Sequence, residues 1–312
     1  MSDAARRGIV LVANPRSTRF RPETLAAVGR AFAAHGPVET VHAASLEHTR
    51  EAARRARERG AGVVAVAGGD GTVAEVAALL AGSLTGLLPI PAGSTNVFAR
   101  GLGWPARALD VPALVGPALA APRRRLTLGS IALDDQPART FCVNAGVGVD
   151  AATVDWIEAH PEAKHRFKQL AFAAAAAGPG LRAFLDRAGL EVSVDGTPGV
   201  RAATFMAACG RPYAFVGNRP LDFLPRAGWA GYLEWLAMAR ALPVTGAAHA
   251  VRVVMQRGHE AGRAILGGMT DGRIEVTAAR PVAVQADGEA LGRATTVLLT
   301  PGPQLEVVVP AA

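Results

Sequence analysis

Four short stretches hold the residue types that phosphoryl or hydroxyl chemistry would need. The first is Gly68-Gly69-Asp70-Gly71-Thr72, between the apolar run Gly62 to Ala67 and a helical spacing from Gly71 to Leu80. Glycines let a backbone approach a polyphosphate closely, and the free N–H groups of a helix start favour negative charge. Asp70 cannot cradle a phosphate itself, because like charges repel; it suits Mg²⁺, a ribose or an acceptor hydroxyl. The stretch also reads as an ordinary glycine turn with Asp70 as a helix cap. The second, Pro91-Ala92-Gly93-Ser94-Thr95-Asn96, likewise lies between a strand and a helix. Its Ser94, Thr95 and Asn96 could grip a ligand or simply cap the helix. Asn14-Pro15-Arg16 ends the first apolar run, where Asn14 could bond a ligand, loop backbone or nothing beyond its own turn. The fourth is Gln285-Ala286-Asp287-Gly288-Glu289. One carboxylate there could take a proton from an alcohol while the other positions it. Asp-Gly between two apolar runs is also a hairpin signal.

The elements that must position these residues fall into two patterns. The first third alternates strand-like runs (Gly8 to Ala13, Val38 to His42, Gly62 to Ala67, Leu87 to Ile90) with helical stretches (Pro22 to Ala34, Leu46 to Arg59, Gly71 to Leu80, Thr95 to Leu102). That alternation predicts a parallel sheet covered on both faces. From Pro122-Arg123-Arg124-Arg125 onward strands dominate: Leu126 to Leu133, Arg139 to Val147, Leu190 to Val194, Ala203 to Ala208, His249 to Met255, Arg273 to Val276 and Val282 to Ala286. Asp134-Asp135 and Asp195-Gly196 supply turns. Helical stretches near Val149 to Ala159 and Lys164 to Ala177 interrupt them, and Thr295 to Leu299 and Leu305 to Val309 are the last strands.

Composition narrows the field. In 312 residues, half of them hydrophobic, a sizeable core can form, which excludes global disorder. The charge of 33 − 26 = +7 favours anionic partners without choosing among nucleotide, nucleic acid and acidic membrane. Two cysteines without C-x-x-C spacing argue against a disulfide framework or a cysteine zinc site. No apolar run reaches the ~20 residues that span a bilayer. There is no G-x-S-x-G elbow, Walker A loop or H-x-x-x-H pair.

Taken together the motifs resemble the diacylglycerol kinase catalytic-domain superfamily, on its bacterial lipid kinase branch. Gly68 to Thr72 looks like the family's nucleotide loop, and Gly93 to Arg100 resembles its G-T-x-N-D-F-A-R segment. Asn144 to Asp150 resembles N-x-G-x-G-x-D, Lys164 to Ala174 the Lys-rich helix that follows, and Pro281 to Gly292 resembles P-V-x-V-Q-x-D-G-E-x-L-G. The resemblance implies an α/β plus β fold. A three-layer α/β domain of the phosphofructokinase and NAD-kinase type would span 1–122, completed by 293–312, and a β-sandwich lipid-substrate domain 123–292. It implies a cytoplasmic lipid kinase, peripheral at the inner membrane face, using ATP with Mg²⁺ on a lipid such as diacylglycerol or a sphingoid base. No nucleic acid partner is expected, and a homodimer is left open. Asp287, Glu289 and Asp70 are its candidate catalytic residues. Asn14, Pro15, Arg16, Gly68 to Thr72, Gly93, Ser94, Thr95 and Asn96 are the candidate nucleotide contacts.

The chain departs from the family pattern at three places. The family's N-P-x-S-G loop lacks its Gly here, leaving Arg16 or Arg19 as phosphate cation, and Ala43 replaces a hydroxyl residue. The segment whose paired Asp residues hold a structural Mg²⁺ reads Pro225-Arg226-Ala227-Gly228-Trp229-Ala230-Gly231-Tyr232-Leu233-Glu234, with Asp222 and Glu234 the nearest substitutes. Trp229 and Ala230 have no side-chain oxygen for a hard cation, so no protein metal site is expected. The alternatives are an NAD-kinase-like enzyme acting on a small molecule, and a nucleotide-binding regulatory protein without transfer.

Overall fold

The computed structural model describes residues 8–159, 189–238 and 265–311. The chain divides into two compact units, Met1–Thr127 with Pro303–Ala312, and Leu128–Gly302. The first is mixed α/β with parallel strands; the second is strand-rich.

In the first unit, β1 (Ile9–Ala13), β2 (Val38–His42), β3 (Val63–Gly68) and β4 (Gly86–Pro91) alternate with α1 (Pro22–Ala33), α2 (Leu46–Glu58) and α3 (Asp70–Leu80). A short α4 (Val97–Gly101) and α5 (Pro112–Ala120) follow. The strands run parallel in the order β2-β1-β3-β4. β1, β3 and β4 are buried along their whole length, as a sheet covered on both faces requires, whereas edge strand β2 is mostly exposed. Right-handed crossovers put α1, which moves the chain leftward to β2, on one face, and α2 and α3, which move it rightward, on the other. Pro22 starts α1, and Leu25, Val28 and Phe32 bury its inner stripe. Ser45 caps α2 by accepting the His48 N–H, and small Ala52, Ala53 and Ala56 let it lie close to its neighbours. The direction of winding reverses between β1 and β3. Ligands of such sheets bind beyond the carboxyl ends of the strands at that reversal, which is where Asn14 and Asp70 stand.

In the second unit the strands are β5 (Arg124–Leu133), β6 (Arg139–Phe141), β7 (Asn144–Gly148), β8 (Leu190–Val194), β9 (Val200–Ala202), β10 (Thr204–Ala208), β11 (Ala214–Val216), β12 (Arg219–Leu221), β13 (Leu233–Met238), β14 (Ile265–Thr270), β15 (Ile274–Ala286) and β16 (Glu289–Val307). Helix α6 (Val149–Ala159) follows β7. β14, β13, β10, β7, β15 and β16 form an antiparallel path. β15 is shared: its first half pairs with β8 and its last residues with β7, with a register shift between Thr277 and Val282. A bulge of this kind bends a strand and lets it serve two layers.

Several expected elements take a different form. The run Arg139 to Val147 is two strands, broken at Cys142 and Val143, because the N–H groups there turn to a carboxylate instead of a neighbouring strand. Arg273 to Val276 and Val282 to Ala286 are one bulged strand, and the two final runs are one long strand. The helix expected from Thr95 starts only at Val97, since Asn96 is left-handed at φ 53°. The Lys164 to Ala177 helix and the 249–255 strand lie outside the described residues. Among the described residues no helix is long and apolar enough to cross a membrane.

Candidate functional site

The loops after β1, β3 and β4 brace one another. Asn14 forms the hub of the first. Its Oδ1 accepts the Arg16 N–H at 3.0 Å, an Asx turn, while its Nδ2 donates to Thr72 Oγ1 at 3.2 Å across the winding reversal. Arg19 N–H then donates to Ala92 O at 2.9 Å, tying this loop to the one after β4. Pro15 and Arg16 are exposed beside it.

Asp70 joins the other two loops. From the first turn of α3, its Oδ1 accepts the Phe98 N–H at 3.2 Å and its Oδ2 the Thr95 hydroxyl at 3.0 Å. It therefore caps α4, a helix other than its own. Burial raises its pKa above the ordinary value, against the lowering by bonds from the 96–98 backbone and Thr95.

The glycines permit this close fit. A Cβ on Gly93 would fall 2.5 Å from Gly69 Cα, and one on Gly68 would fall 2.7 Å from Thr72 Cβ. Asn96 shapes the second loop: its Oδ1 accepts the Gly93 N–H at 2.8 Å and its Nδ2 donates to Gly93 O at 2.9 Å. With 2% of its surface exposed, Asn96 acts on any ligand through the form of the loop. Ser94 and Thr95, by contrast, are exposed.

Three features make these loops suited to an anion. The N–H groups of Asp70, Gly71 and Thr72 open α3 without intrahelical acceptors. The Ser17 hydroxyl is buried with no hydrogen-bond partner among the described residues, an orphan that a bound group would satisfy. Arg100 is held below its ordinary pKa first by burial and then by repulsion from Arg19, with Asp70 opposing. A nearby anion would relieve that repulsion. Arg100 ends the Gly93 to Arg100 segment and Ser17 closes the Asn14 turn, so their positions in those motifs were the signal that could have singled them out.

In the second unit Asp287 occupies the turn between β15 and β16, at φ 51°. Its Oδ2 accepts the Cys142 N–H at 2.6 Å; its Oδ1 accepts Val143 N–H at 2.8 Å and Asn144 N–H at 3.2 Å. Its own N–H donates to Asn144 O. Three backbone donors fix the direction of this carboxylate. Glu289, two residues on, is exposed.

Behind the turn lies a buried polar cluster. Gln285 Oε1 accepts the Gly288 N–H, while its Nε2 donates to Asp150 Oδ2 at 2.9 Å and lies 3.0 Å from the Tyr213 oxygen. Tyr213 donates its hydroxyl proton to Asp150 Oδ2 at 2.7 Å, and Asn144 Nδ2 donates to Tyr213 O. Burial, partly offset by the bonds from Tyr213 and Gln285, raises the Asp150 pKa; burial and the Asp150 charge push the Tyr213 phenol well up. Tyr213 lies in none of the motifs and carried no local signal, whereas Gln285 stood inside one without an assigned role.

The carboxylates nearest the 225–234 segment are engaged by protein groups. Glu234 on β13, 4% exposed, accepts Arg226 N–H, Arg226 Nε and Ala227 N–H at 2.6, 2.9 and 2.9 Å. Asp222 lies 3.7 Å from Arg211. The Glu234 carboxylate is thus held by three protein donors, one of them a guanidinium, an arrangement that does not fit a bound cation. No group of three metal-ligating side chains occurs among the described residues.

Comparison with known proteins agrees with this architecture. A structure of a diacylglycerol kinase from Bacillus anthracis str. Sterne is 17% identical, with a TM-score of 0.70 and coverage of 97% of each chain. Two further structures from the same organism have TM-scores of 0.71 and 0.68 at the same identity and coverage. At this identity they show a shared fold. No curated protein matches the sequence. Residues 8–131, which include all three braced loops, match the model of the diacylglycerol kinase catalytic domain.

Proposed function

We propose that the protein is an ATP-dependent lipid kinase that transfers the γ-phosphate of ATP to a lipid hydroxyl. The observation that carries this reading is the set of three interlocked loops, which gather helix-start N–H groups, an orphaned Ser17 hydroxyl and the Arg19 and Arg100 guanidiniums. Such an assembly suits a polyphosphate. Asn14 and Asn96 hold the loops in shape, while Pro15, Arg16, Ser94 and Thr95 line their exposed rim. Mg²⁺ brought in with ATP would be faced by Asp70, and it supplies charge neutralisation at the terminal phosphates.

In the transfer, the lipid hydroxyl oxygen bonds to the γ-phosphorus and the bond from that phosphorus to the bridging oxygen of ADP breaks. Asp287 takes the hydroxyl proton, and Glu289 helps to orient the alcohol. Transfers of this kind depend mainly on alignment and electrostatic stabilisation, which suits a carboxylate whose direction three N–H groups set. The charge of +7 favours approach to an anionic membrane surface. An acceptor panel tests the reading: with γ-labelled ATP, label is expected in diacylglycerol or a sphingoid base presented in vesicles. Label in NAD alone, or ATP binding without transfer to any acceptor, would overturn it.

A further inference from the structure

The resemblance implies a structural Mg²⁺ at the 225–234 segment, and the residues present do not fit one. What stands in its place is a connected set of contacts. The buried Glu234 carboxylate gathers the N–H groups of Arg226 and Ala227 and the Arg226 guanidinium. The Tyr232 hydroxyl donates to Arg226 O at 2.8 Å, closing the loop on itself. At the far end of the loop Trp229 is left-handed at φ 57° and 4% exposed. Its indole N–H donates to Cys142 O at 2.7 Å, and its backbone N–H donates to Cys209 O. The indole is seated where Gly210 has no side chain: a Cβ there would fall 2.0 Å from the ring. Cys142 is also the residue whose N–H holds Asp287 Oδ2. A continuous chain of contacts thus runs from Glu234 through the loop and Trp229 to the Asp287 carboxylate.

We infer that the Arg226–Glu234 pair and the Trp229 indole replace a bound cation as the brace of this loop, and that Trp229 acts through Cys142 as a positioning residue for Asp287. The chemistry is sound in both parts. A guanidinium with two backbone N–H groups satisfies a buried carboxylate as a cation would. A left-handed backbone at a bulky residue is costly, and it persists where surrounding contacts over-determine it.

The test uses the full chain without nucleotide, so that it stands apart from the kinase reading. Thermal melting is expected to be the same in chelator and in millimolar Mg²⁺. A rise in melting temperature with Mg²⁺ that Glu234→Gln abolishes would overturn the cation-free brace. Amide hydrogen exchange reports the positioning. Trp229→Phe keeps an aromatic ring but loses the indole N–H, and should speed exchange at Cys142, Val143 and Asn144 about tenfold, with less change along β3 (Val63–Gly68) in the first unit. Arg226→Met should loosen the same amides and Arg226→Lys recover part of the protection; this surface substitution serves if the indole variant fails to fold. Unchanged exchange at 142–144 in the folded variants would overturn the positioning role.

Discussion

The Asp70 carboxylate, on the first turn of α3, accepts the backbone N–H of Phe98 at the start of α4, at 3.2 Å. One residue therefore belongs to the loop after β3 by sequence and to the loop after β4 by hydrogen bonding. Replacing it has two consequences. Asp70→Ala removes the α4 cap and the Thr95 bond, at a cost of about 1–2 kcal/mol of stability, and it loosens the loops that would hold ATP. Asp70→Asn keeps an acceptor oxygen and should keep most of that stability while weakening Mg·ATP binding. Thermal melting and calorimetric titration of both variants check the split.

The contact between the two glycine loops predicts an asymmetry. Gly93→Ala forces a Cβ to 2.5 Å from Gly69 Cα, whereas Gly69→Ala places its Cβ at 3.5 Å from Gly93 Cα, an ordinary contact. The first should cost about 1–3 kcal/mol through overpacking and impair nucleotide binding; the second should be nearly neutral in stability. Equal effects in denaturant unfolding would show that the loops are not in this close contact.

Much of this arrangement was legible in the sequence, and the illegible part has a common cause. Asp70, Asn96 and Asp287 stood out because glycines surround them at strand ends, and the alternating first third gave a parallel sheet. What each side chain touches was not legible. Asp70 reads locally as the cap of its own helix and caps another; Asn96 reads as a ligand contact and closes its own loop; the break at Cys142 depends on a carboxylate far along the chain. Contacts over such separations follow from topology, and neither spacing nor propensity encodes them. Arg273 to Val276 and Val282 to Ala286 read as separate runs and form one strand, because a register shift between Thr277 and Val282 carries the chain across the gap.

The buried Asp150 gives the folded state a pH dependence of known sign. Its pKa is raised by burial from the ordinary 3.8, so above that value the folded protein holds a proton that the unfolded chain releases. Stability then falls as pH rises from about 4 through the folded pKa. Asp134 and Asp195, lowered by bonds from Thr296 and Thr270 respectively, act in the other direction, so the readout is a difference. Asp150→Asn should make the unfolding free energy less steeply decreasing across that window than in the wild type. A parallel pair of pH curves would contradict this.

The most direct test of the central claim compares γ-phosphate transfer by wild type and Asp287→Asn, using labelled ATP and vesicles containing diacylglycerol or a sphingoid base. The amide oxygen can still accept the Val143 and Asn144 N–H groups, its NH2 can no longer accept from Cys142, and the side chain cannot take the hydroxyl proton. The account predicts labelled lipid from the wild type and a kcat about 10²–10⁴ lower in the variant, with the KM for ATP unchanged. A variant that phosphorylates lipid at the wild-type rate would contradict it.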